Sequence, residues 1–153
     1  MDITEYLRCS VPAAVHSAGV DLVDLRRWDL AVARTRRAVL RRAFSASERA
    51  AAMCAADGEL TPARILGHTF GIKESVVKAL GGLPPGSAYA DIEVGTGPPE
   101  QDGGGRPVHL RGELARWAAR HGVTLTGGTR ELADDMAVAW VVAAPTGTPA
   151  GPR

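Results

Sequence analysis

Apolar positions recur with helical spacing between Thr61 and Gly81, and this segment carries the clearest helix signals in the chain. Thr61 is a favourable N-cap, Pro62 suits the first helical position, and Gly81 followed by Gly82 predicts the C-terminal end. At about 100° per residue, one face of the predicted helix is apolar and the other carries glycines and charges. The apolar face holds Ile65, Ile72, Val76 and Leu80, and the other holds Gly67, Gly71, Glu74 and Lys78. Because glycine destabilises a helix interior, we expect another backbone or a ligand to approach the glycines closely.

The rest of the pattern alternates between short strands and helices. Alternating or continuous apolar runs predict strands at His16–Leu25, Tyr89–Val94, Pro107–Leu110, Val123–Thr126 and Met136–Ala144. Helical spacing predicts further helices at Trp28–Ala43, Ser47–Ala56 and Glu113–His121. This mixture indicates a protein of the α+β class.

The length of 153 residues corresponds to one domain. We predict that the domain occupies residues 15–144, after an N-terminal extension at 1–14 and before a disordered tail at 145–153 that is rich in proline and glycine. The longest apolar run, Met136–Ala144, is too short for a membrane span, which needs about twenty residues. The N-terminus has no apolar signal core, and Cys9 and Cys54 have neither zinc nor disulfide spacing, so we expect a cytoplasmic protein.

Positive charge is concentrated in one segment, although the whole chain has a formal net charge of only +1. Seven arginines lie between Arg26 and Arg42, with Asp29 as the single acidic residue among them. The segment is a solvated face, a docking surface for an acidic protein or a nucleic-acid contact. Nucleic-acid modules usually interleave aromatic residues or carry a known motif, and Trp28 is the only aromatic residue here. The pattern therefore favours an acidic protein partner over nucleic acid.

Two acidic residues occupy positions that require a physical explanation. Asp21 lies inside an apolar strand, where a carboxylate must be paired, hydrogen-bonded or bound to a cation, so it either caps a neighbouring turn or binds a metal. Glu74 precedes Lys78 by four residues, which suits an exposed helical ion pair, but that pairing does not explain the glycines on the same side. Lys73 and Lys78 are the only lysines in the chain. Two carboxylates beside a lysine permit a magnesium site that handles phosphate.

Six segments, in order, resemble the holo-acyl-carrier-protein synthase family of 4′-phosphopantetheinyl transferases. They are GVDLVDLRR at 19–27, RAFSASE at 42–48, FGIKESVVKALG at 70–81, DIEV at 91–94, GRPVHL at 105–110 and MAVAWVV at 136–142. The strand-borne aspartate, followed later by a K-E-x-x-x-K-A helix, is the most specific part of the match. The resemblance implies a 4′-phosphopantetheinyl transferase-like fold, in which a small antiparallel sheet packs with helices that include one long central helix.

The resemblance also implies an activity. Family members transfer the phosphopantetheine arm of coenzyme A to a serine of an apo carrier protein, with magnesium, and release 3′,5′-ADP. Asp21 and Glu74 match the two magnesium ligands, and Lys78 matches the lysine that faces the coenzyme A phosphates. Glu74 and Lys78 are then the expected catalytic residues, with Glu74 as the base. Further contacts with coenzyme A are expected at Lys73, His68, Gly105 and Pro107.

The partners follow from the same resemblance. An acidic acyl carrier protein is expected to dock on Arg27, Arg34 and Arg37. Family members are typically homotrimers whose active sites are shared between neighbouring subunits, so a homotrimer is expected here. The sequence does not distinguish fatty-acid, polyketide and peptide-synthetase carriers.

The chain departs from the family pattern in two places. Thr69 stands where the family usually has an arginine, and the family's Ser-x-Ser-His motif near the last strand is absent. The missing Ser-x-Ser-His motif is expected near the nucleotide end of coenzyme A. Either Arg130 or His68 is expected to replace its contact there. The departures leave open a second hypothesis, a non-catalytic relative that binds a carrier protein or an acyl-coenzyme A. A third hypothesis, a nucleic-acid binder, rests on the arginine segment alone.

Overall fold

The computed structural model describes residues 15–34, 37–56, 60–95 and 105–147. Five strands lie in these ranges: β1 (Ser17–Asp24), β2 (Ile92–Val94), β3 (Arg106–Leu110), β4 (Val123–Glu131) and β5 (Met136–Pro145). They form one antiparallel sheet in the order β1–β5–β4–β3–β2. The last strand is therefore inserted between the first strand and the rest of the sheet.

The helices pack on one face of this sheet. They are α1 (Leu25–Arg34), α2 (Arg37–Ala43), α3 (Ala46–Ala55), α4 (Pro62–Leu80) and α5 (Gly112–His121), together with one 3-10 turn at Tyr89–Asp91. The long helix α4 contacts β1 and β5 on one side and α1 and α3 on the other. The prediction of an α+β fold with a small antiparallel sheet and one long central helix is confirmed.

The ends of α4 follow the predicted capping chemistry. The side chain of Thr61 accepts a hydrogen bond from the backbone N–H of Arg64, at 3.2 Å, and Pro62 takes the first helical position. Gly81 has a left-handed φ of 76° and donates its N–H back into the last turn. Both ends are therefore set by local sequence.

The glycines of α4 allow close packing, as predicted, but the helix does not have one apolar and one polar face. A Cβ at Gly71 would lie 2.9 Å from the Cβ of Ala139 and would overlap Val23 of β1. A Cβ at Gly67 would lie 2.8 Å from the ring of Trp28. Protein therefore approaches both glycines closely, with β1 and β5 at Gly71 and α1 at Gly67.

The strand β1 crosses α4 at a second glycine contact, which the sequence pattern did not indicate. A Cβ at Gly19 would lie 2.8 Å from the backbone nitrogen of Ala79 and closer still to the carbonyl oxygen of Ser75. Real Cβ atoms essentially never approach other atoms below 3.0 Å. Backbone therefore packs directly on backbone here, and this contact fixes β1 relative to α4.

Three elements differ from their predicted bounds by more than one residue. The helix predicted to start at Trp28 begins earlier, at Leu25, because Asp24 accepts hydrogen bonds from the backbone N–H groups of Arg26 and Arg27. β4 continues five residues beyond Thr126, to Glu131, since its glycines lack the apolar side chains that reveal a strand. The predicted strand at Tyr89–Val94 starts with a 3-10 turn.

Some predictions concern residues outside the described ranges. These are the N-terminal extension at 1–14 and most of the predicted tail. The first residue of that tail, Pro145, is the last residue of β5, and the N–H of Thr146 bonds to the carbonyl of Gly122 at 2.7 Å. Within the described ranges, no helix combines the length and apolar character that a membrane crossing requires.

Candidate active site

Asp21 lies in the middle of β1, on the sheet face that packs against α4. Its neighbours on this face, Gly19 and Val23, contact Ser75 and Gly71 of the helix. The side chain of Asp21 is 23% exposed, so the carboxylate lies at the edge of the β1–α4 contact rather than in the apolar interior. Turn capping was the alternative role for Asp21, and Asp24, three residues later, has that role instead.

Glu74 lies on the part of α4 that faces this edge. The phenol of Tyr89 donates a hydrogen bond to Oε1 of Glu74 at 2.8 Å. Burial raises the pKa of Tyr89 to about 12, and the carboxylates of Glu74 and Asp21 contribute to the shift. The phenol therefore keeps its proton and stays a donor throughout the physiological pH range.

Lys78 connects the helix to the strand. Its Nζ lies 2.7 Å from Oδ1 of Asp21 and 2.8 Å from the carbonyl oxygen of Val20, and its side chain is half exposed. The alternative ion pair between Glu74 and Lys78 is not formed in the described structure, because Lys78 pairs with Asp21. One cation and two carboxylates thus meet where β1 crosses α4.

A cavity of about 380 Å³ lies beside these groups. Both predicted metal ligands, Asp21 and Glu74, are in its wall. The remaining wall residues are Leu22, Val23, Asp24, Arg27, Trp28, Ala31, Phe70 and Gly71. The wall combines apolar side chains with charged ones, which suits a ligand that carries a charged group.

The three arginines predicted to dock a carrier protein have different positions. Arg27 is exposed in the first turn of α1 and lines the cavity. Arg34 is exposed in the last turn of the same helix. The side chain of Arg37 lies outside the described residues, although its backbone begins α2. Of the two whose side chains are described, Arg27 shares the cavity wall with the predicted metal ligands.

Lys73 is fully buried and does not reach the cavity. Its Nζ donates to the carbonyl oxygen of Ala43 at 2.7 Å, to Oε2 of Glu48 at 2.8 Å and to the carbonyl oxygen of Tyr89 at 3.0 Å. Burial lowers the pKa of Lys73, and the hydrogen bond from Lys73 to Glu48 offsets part of this effect. All three ammonium protons of Lys73 are therefore used inside the protein, and the predicted contact between Lys73 and coenzyme A stays a prediction.

Glu48 completes the same buried network. Its Oε1 accepts from the backbone N–H of Val94 at 2.9 Å, and its Oε2 accepts from that of Ser45 at 2.8 Å. With the Ser45 side chain it forms a capping box at the start of α3. The Lys73–Glu48 pair thus ties α3, α4 and β2 together.

Comparison with known proteins shows the family of this chain. A family model described as the 4′-phosphopantetheinyl transferase superfamily matches residues 17–139, which include all the groups above. The chain belongs to this superfamily. It is 39% identical over 126 residues to a holo-[acyl-carrier-protein] synthase of Desulforudis audaxviator, with 82% of this chain and 89% of the relative covered. The resemblance drawn from the sequence is confirmed.

Solved structures of such enzymes share the fold of this transferase. A holo-[acyl-carrier-protein] synthase from Neisseria meningitidis superposes with a TM-score of 0.67 at 22% identity, covering 84% of this chain and 98% of that one. A holo-(acyl-carrier-protein) synthase from Bacillus anthracis, in complex with CoA (3′,5′-ADP), superposes with a TM-score of 0.63 at 19% identity, covering 88% and 100%. The element order and the central helix are therefore those of an established transferase fold.

The oxygen donors of this transferase suit magnesium. Oδ1 of Asp21 and Oε1 of Glu74 each take part in one hydrogen bond, and the second oxygen of each accepts none from the described residues. The described ranges contain no group of three or more histidine, cysteine or acidic side chains of the kind that encloses zinc. Magnesium usually takes only one or two protein carboxylates and fills its remaining positions with water and substrate phosphate.

His68 lies outside the cavity wall, nearer the start of α4. Its Nε2 is 3.1 Å from Oε1 of Glu131 on β4, and its Nδ1 is buried with no hydrogen-bond partner in the described ranges. Burial lowers the pKa of His68, and Glu131 offsets part of this shift. The ring is therefore neutral at neutral pH. The predicted contact of His68 with coenzyme A stays a prediction.

Gly105 and Pro107 lie on the other face of the sheet from Asp21. A Cβ at Gly105 would lie 2.7 Å from the Trp140 ring, and Trp140 belongs to a cluster separate from the core around Ala139. Pro107 alternates onto the same outer face and is exposed. The predicted contact of Gly105 and Pro107 with coenzyme A stays a prediction.

Two residues that matter here were not singled out in the sequence. Tyr89 was assigned to a strand, and nothing in its spacing indicated a bond to Glu74. Glu48 follows Ser45 by three residues, which is the spacing of a capping box.

Thr69, at the position of the family arginine, is buried and donates its hydroxyl to the carbonyl of Ile65 at 3.0 Å. It is therefore an interior residue rather than a substitute ligand.

Proposed function

We propose that this protein transfers the 4′-phosphopantetheine arm of coenzyme A to a serine of an apo acyl carrier protein, in the presence of magnesium, and releases 3′,5′-ADP. The observation that carries the proposal is that Asp21 and Glu74 line one cavity, with Lys78 bound to Asp21 beside it. Family membership and the curated relatives named holo-[acyl-carrier-protein] synthase support it. The related Bacillus anthracis structure with CoA (3′,5′-ADP) supports coenzyme A as the second substrate.

The carboxylates and the lysine of the site would have different roles in the reaction. Asp21 and Glu74 would hold magnesium, which supplies positive charge to a bound pyrophosphate. Lys78 is a point charge on a half-exposed side chain, and it would leave Asp21 to contact the phosphates of the substrate. Phosphoryl transfer depends mostly on such positioning and charge stabilisation, so this small set of residues is sufficient for the chemistry.

The reaction forms one bond and breaks one. The serine hydroxyl oxygen bonds to the phosphorus that carries pantetheine, and the bond from this phosphorus to the bridging oxygen breaks. The electron pair of the broken bond leaves with 3′,5′-ADP. Glu74 would accept the serine proton, either directly or through an intervening water, as a general base in the cavity wall.

The acidic carrier would dock along α1. Arg27 places positive charge at the cavity, and Arg34 continues this charge to the end of the helix. A carrier helix with negative charge would be steered to this surface, and its serine would approach Asp21 and Glu74. The fatty-acid, polyketide and peptide-synthetase carriers remain alternatives, to be separated by assaying each one.

A homotrimer with shared sites is the proposed assembly. Val20 and Leu22 point away from α4 on the edge strand β1 and are 46% and 62% exposed, which leaves apolar surface for a neighbouring subunit. With a neighbouring subunit at this edge, Gly105 and Pro107 would contribute to an active site shared between the two subunits. Light scattering should report three times the mass of one chain, and Leu22→Lys should lower that mass. The cytoplasmic location stays a prediction.

The activity is tested by weighing the carrier. Incubation with coenzyme A, magnesium and an apo carrier should add one phosphopantetheine group, and a chelator should stop the addition. A carrier panel that stays unmodified would contradict the proposal. Calorimetry would then test the non-catalytic alternative, which predicts binding of carrier or acyl-coenzyme A without transfer. A gel shift at low salt tests the nucleic-acid hypothesis, and we expect no retardation.

A further inference from the structure

Glu74 is held by a neighbour that has no role in the transfer as described above. The phenol of Tyr89 donates to Oε1 of Glu74 at 2.8 Å, while Oε2 accepts no hydrogen bond from the described residues. The bond therefore distinguishes the two carboxylate oxygens. One is occupied by a protein donor, and the other has no donor among the described residues.

The aromatic ring of Tyr89 is fixed independently of this bond. It stacks on Phe70, one turn before Glu74, with ring centroids 5.0 Å apart and an interplanar angle of 27°. Phe70 in turn contacts Phe44 and Trp28 at centroid distances of 6.1 Å and 5.1 Å. The ring therefore rests on a packed aromatic cluster, and rotation of its side chain would lose this stacking.

The backbone of Tyr89 is fixed as well. Its carbonyl oxygen accepts a hydrogen bond from the buried ammonium of Lys73 at 3.0 Å, and Lys73 also binds Glu48. The 3-10 turn at Tyr89–Asp91 is closed by Asp91, which accepts from the backbone N–H of Ala88 at 2.8 Å. Protein contacts thus hold both the ring and the backbone of Tyr89 in the absence of a ligand.

We propose that Tyr89 is a positioning residue, which orients the carboxylate of Glu74 so that Oε2 is presented to a divalent cation. This inference rests on the proposed function, because it takes Glu74 as a metal ligand. Hydrogen bonds to a metal-binding side chain commonly change metal affinity or activity by about 10- to 100-fold when they are removed. Lys73 and Glu48 contribute indirectly, by fixing the turn that carries Tyr89.

Tyr89→Phe tests the inference because it removes the hydroxyl and keeps the ring stacked on Phe70. Titration of the protein with Mn²⁺ alone, followed by electron paramagnetic resonance, should show about 10-fold or greater weakening of binding relative to the unaltered protein. The value of kcat should fall with it, while KM for coenzyme A at saturating magnesium and the unfolding midpoint should stay unchanged. A lower midpoint would mean a merely structural role and would overturn the inference.

A second variant isolates the contact with Glu74. In a Glu74→Gln background, Tyr89→Phe should have no further effect on Mn²⁺ binding, since the two changes act on one interaction. Equal Mn²⁺ affinity for the unaltered protein and Tyr89→Phe would overturn the inference and leave the proposed transferase intact. Absence of both Mn²⁺ binding and transfer in the unaltered protein would instead contradict the proposed function itself.

Discussion

The two lysines of the chain lie five residues apart on α4 in opposite surroundings. Lys73 is fully buried against Glu48, whereas the side chain of Lys78 is half exposed beside Asp21. Lys73→Met should lower the free energy of unfolding by about 3–5 kcal/mol, because it leaves a buried carboxylate without its partner. Lys78→Met should change stability by less than about 1 kcal/mol and should abolish most of the transfer activity.

Urea unfolding and the carrier mass assay together check this contrast. A double variant, Lys73→Met with Glu48→Gln, serves as the control, and it should recover part of the lost stability because no unpaired charge remains. Equal losses of stability in the two single variants would contradict the buried position of Lys73.

His68 should make stability depend on pH. Its pKa in the folded protein is below the ordinary value of 6.5, mainly because the ring is buried, so the unfolded chain binds a proton more readily. The free energy of unfolding should therefore fall as pH decreases below about 6.5, by at most about 1.4 kcal/mol per pH unit. Glu131 partly opposes this effect, and Arg106 and Arg64 reinforce it.

His68→Gln should flatten this part of the pH profile. Urea unfolding of both proteins at pH 5.5 and pH 7.5 measures the difference, and the other histidines are common to both. A profile that remains equally steep in the variant would show that another group causes the dependence.

At the level of elements, the crossing of β1 over α4 sets the relation between Asp21 and Glu74. Gly19→Ala would place a methyl group against the backbone of Ser75 and Ala79. We expect a loss of about 1–3 kcal/mol of unfolding free energy and a clear loss of transfer, because β1 must move away from the helix. Circular dichroism melts and the mass assay measure the two effects.

Ala18→Val is the matched control for this substitution. Ala18 is the preceding residue of β1 and is exposed, so its enlargement should change stability by no more than about 0.5 kcal/mol. Normal stability and activity of Gly19→Ala would mean that the close contact does not position the site.

The elements could be predicted where local chemistry decides them. Thr61, Pro62 and Gly81 fixed both ends of α4, and continuous apolar residues revealed β5. The second half of β4 was missed because Gly127 and Gly128 carry no pattern, and their pairing with β5 is a long-range property. Site residues, too, were predictable only where a local sequence motif identifies them. Asp21 and Glu74 could be identified by motif, whereas the bond from Tyr89 to Glu74 depends on a turn that only the fold defines.

At the scale of the whole molecule, charge on α1 should govern the encounter with the carrier. Arg34→Gln should raise KM for the carrier by about two- to fivefold at low salt, and the difference should shrink at 0.5 M salt. Arg116→Gln removes an exposed charge from α5, which packs on β3 and β4, and it should leave KM unchanged. Steady-state assays at two ionic strengths provide the measurement. Equal effects of the two variants would contradict docking along α1.

The most direct test of the account is the rate of carrier modification after neutral replacement of each proposed magnesium ligand. Asp21→Asn and Glu74→Gln should each lower the rate at least about 100-fold, with an unchanged unfolding midpoint, because each removes a charge that holds the cation. Asp134→Asn, an exposed acidic residue in the β4–β5 turn, should keep the normal rate. Near-normal modification of the carrier by either Asp21→Asn or Glu74→Gln would contradict the proposed site.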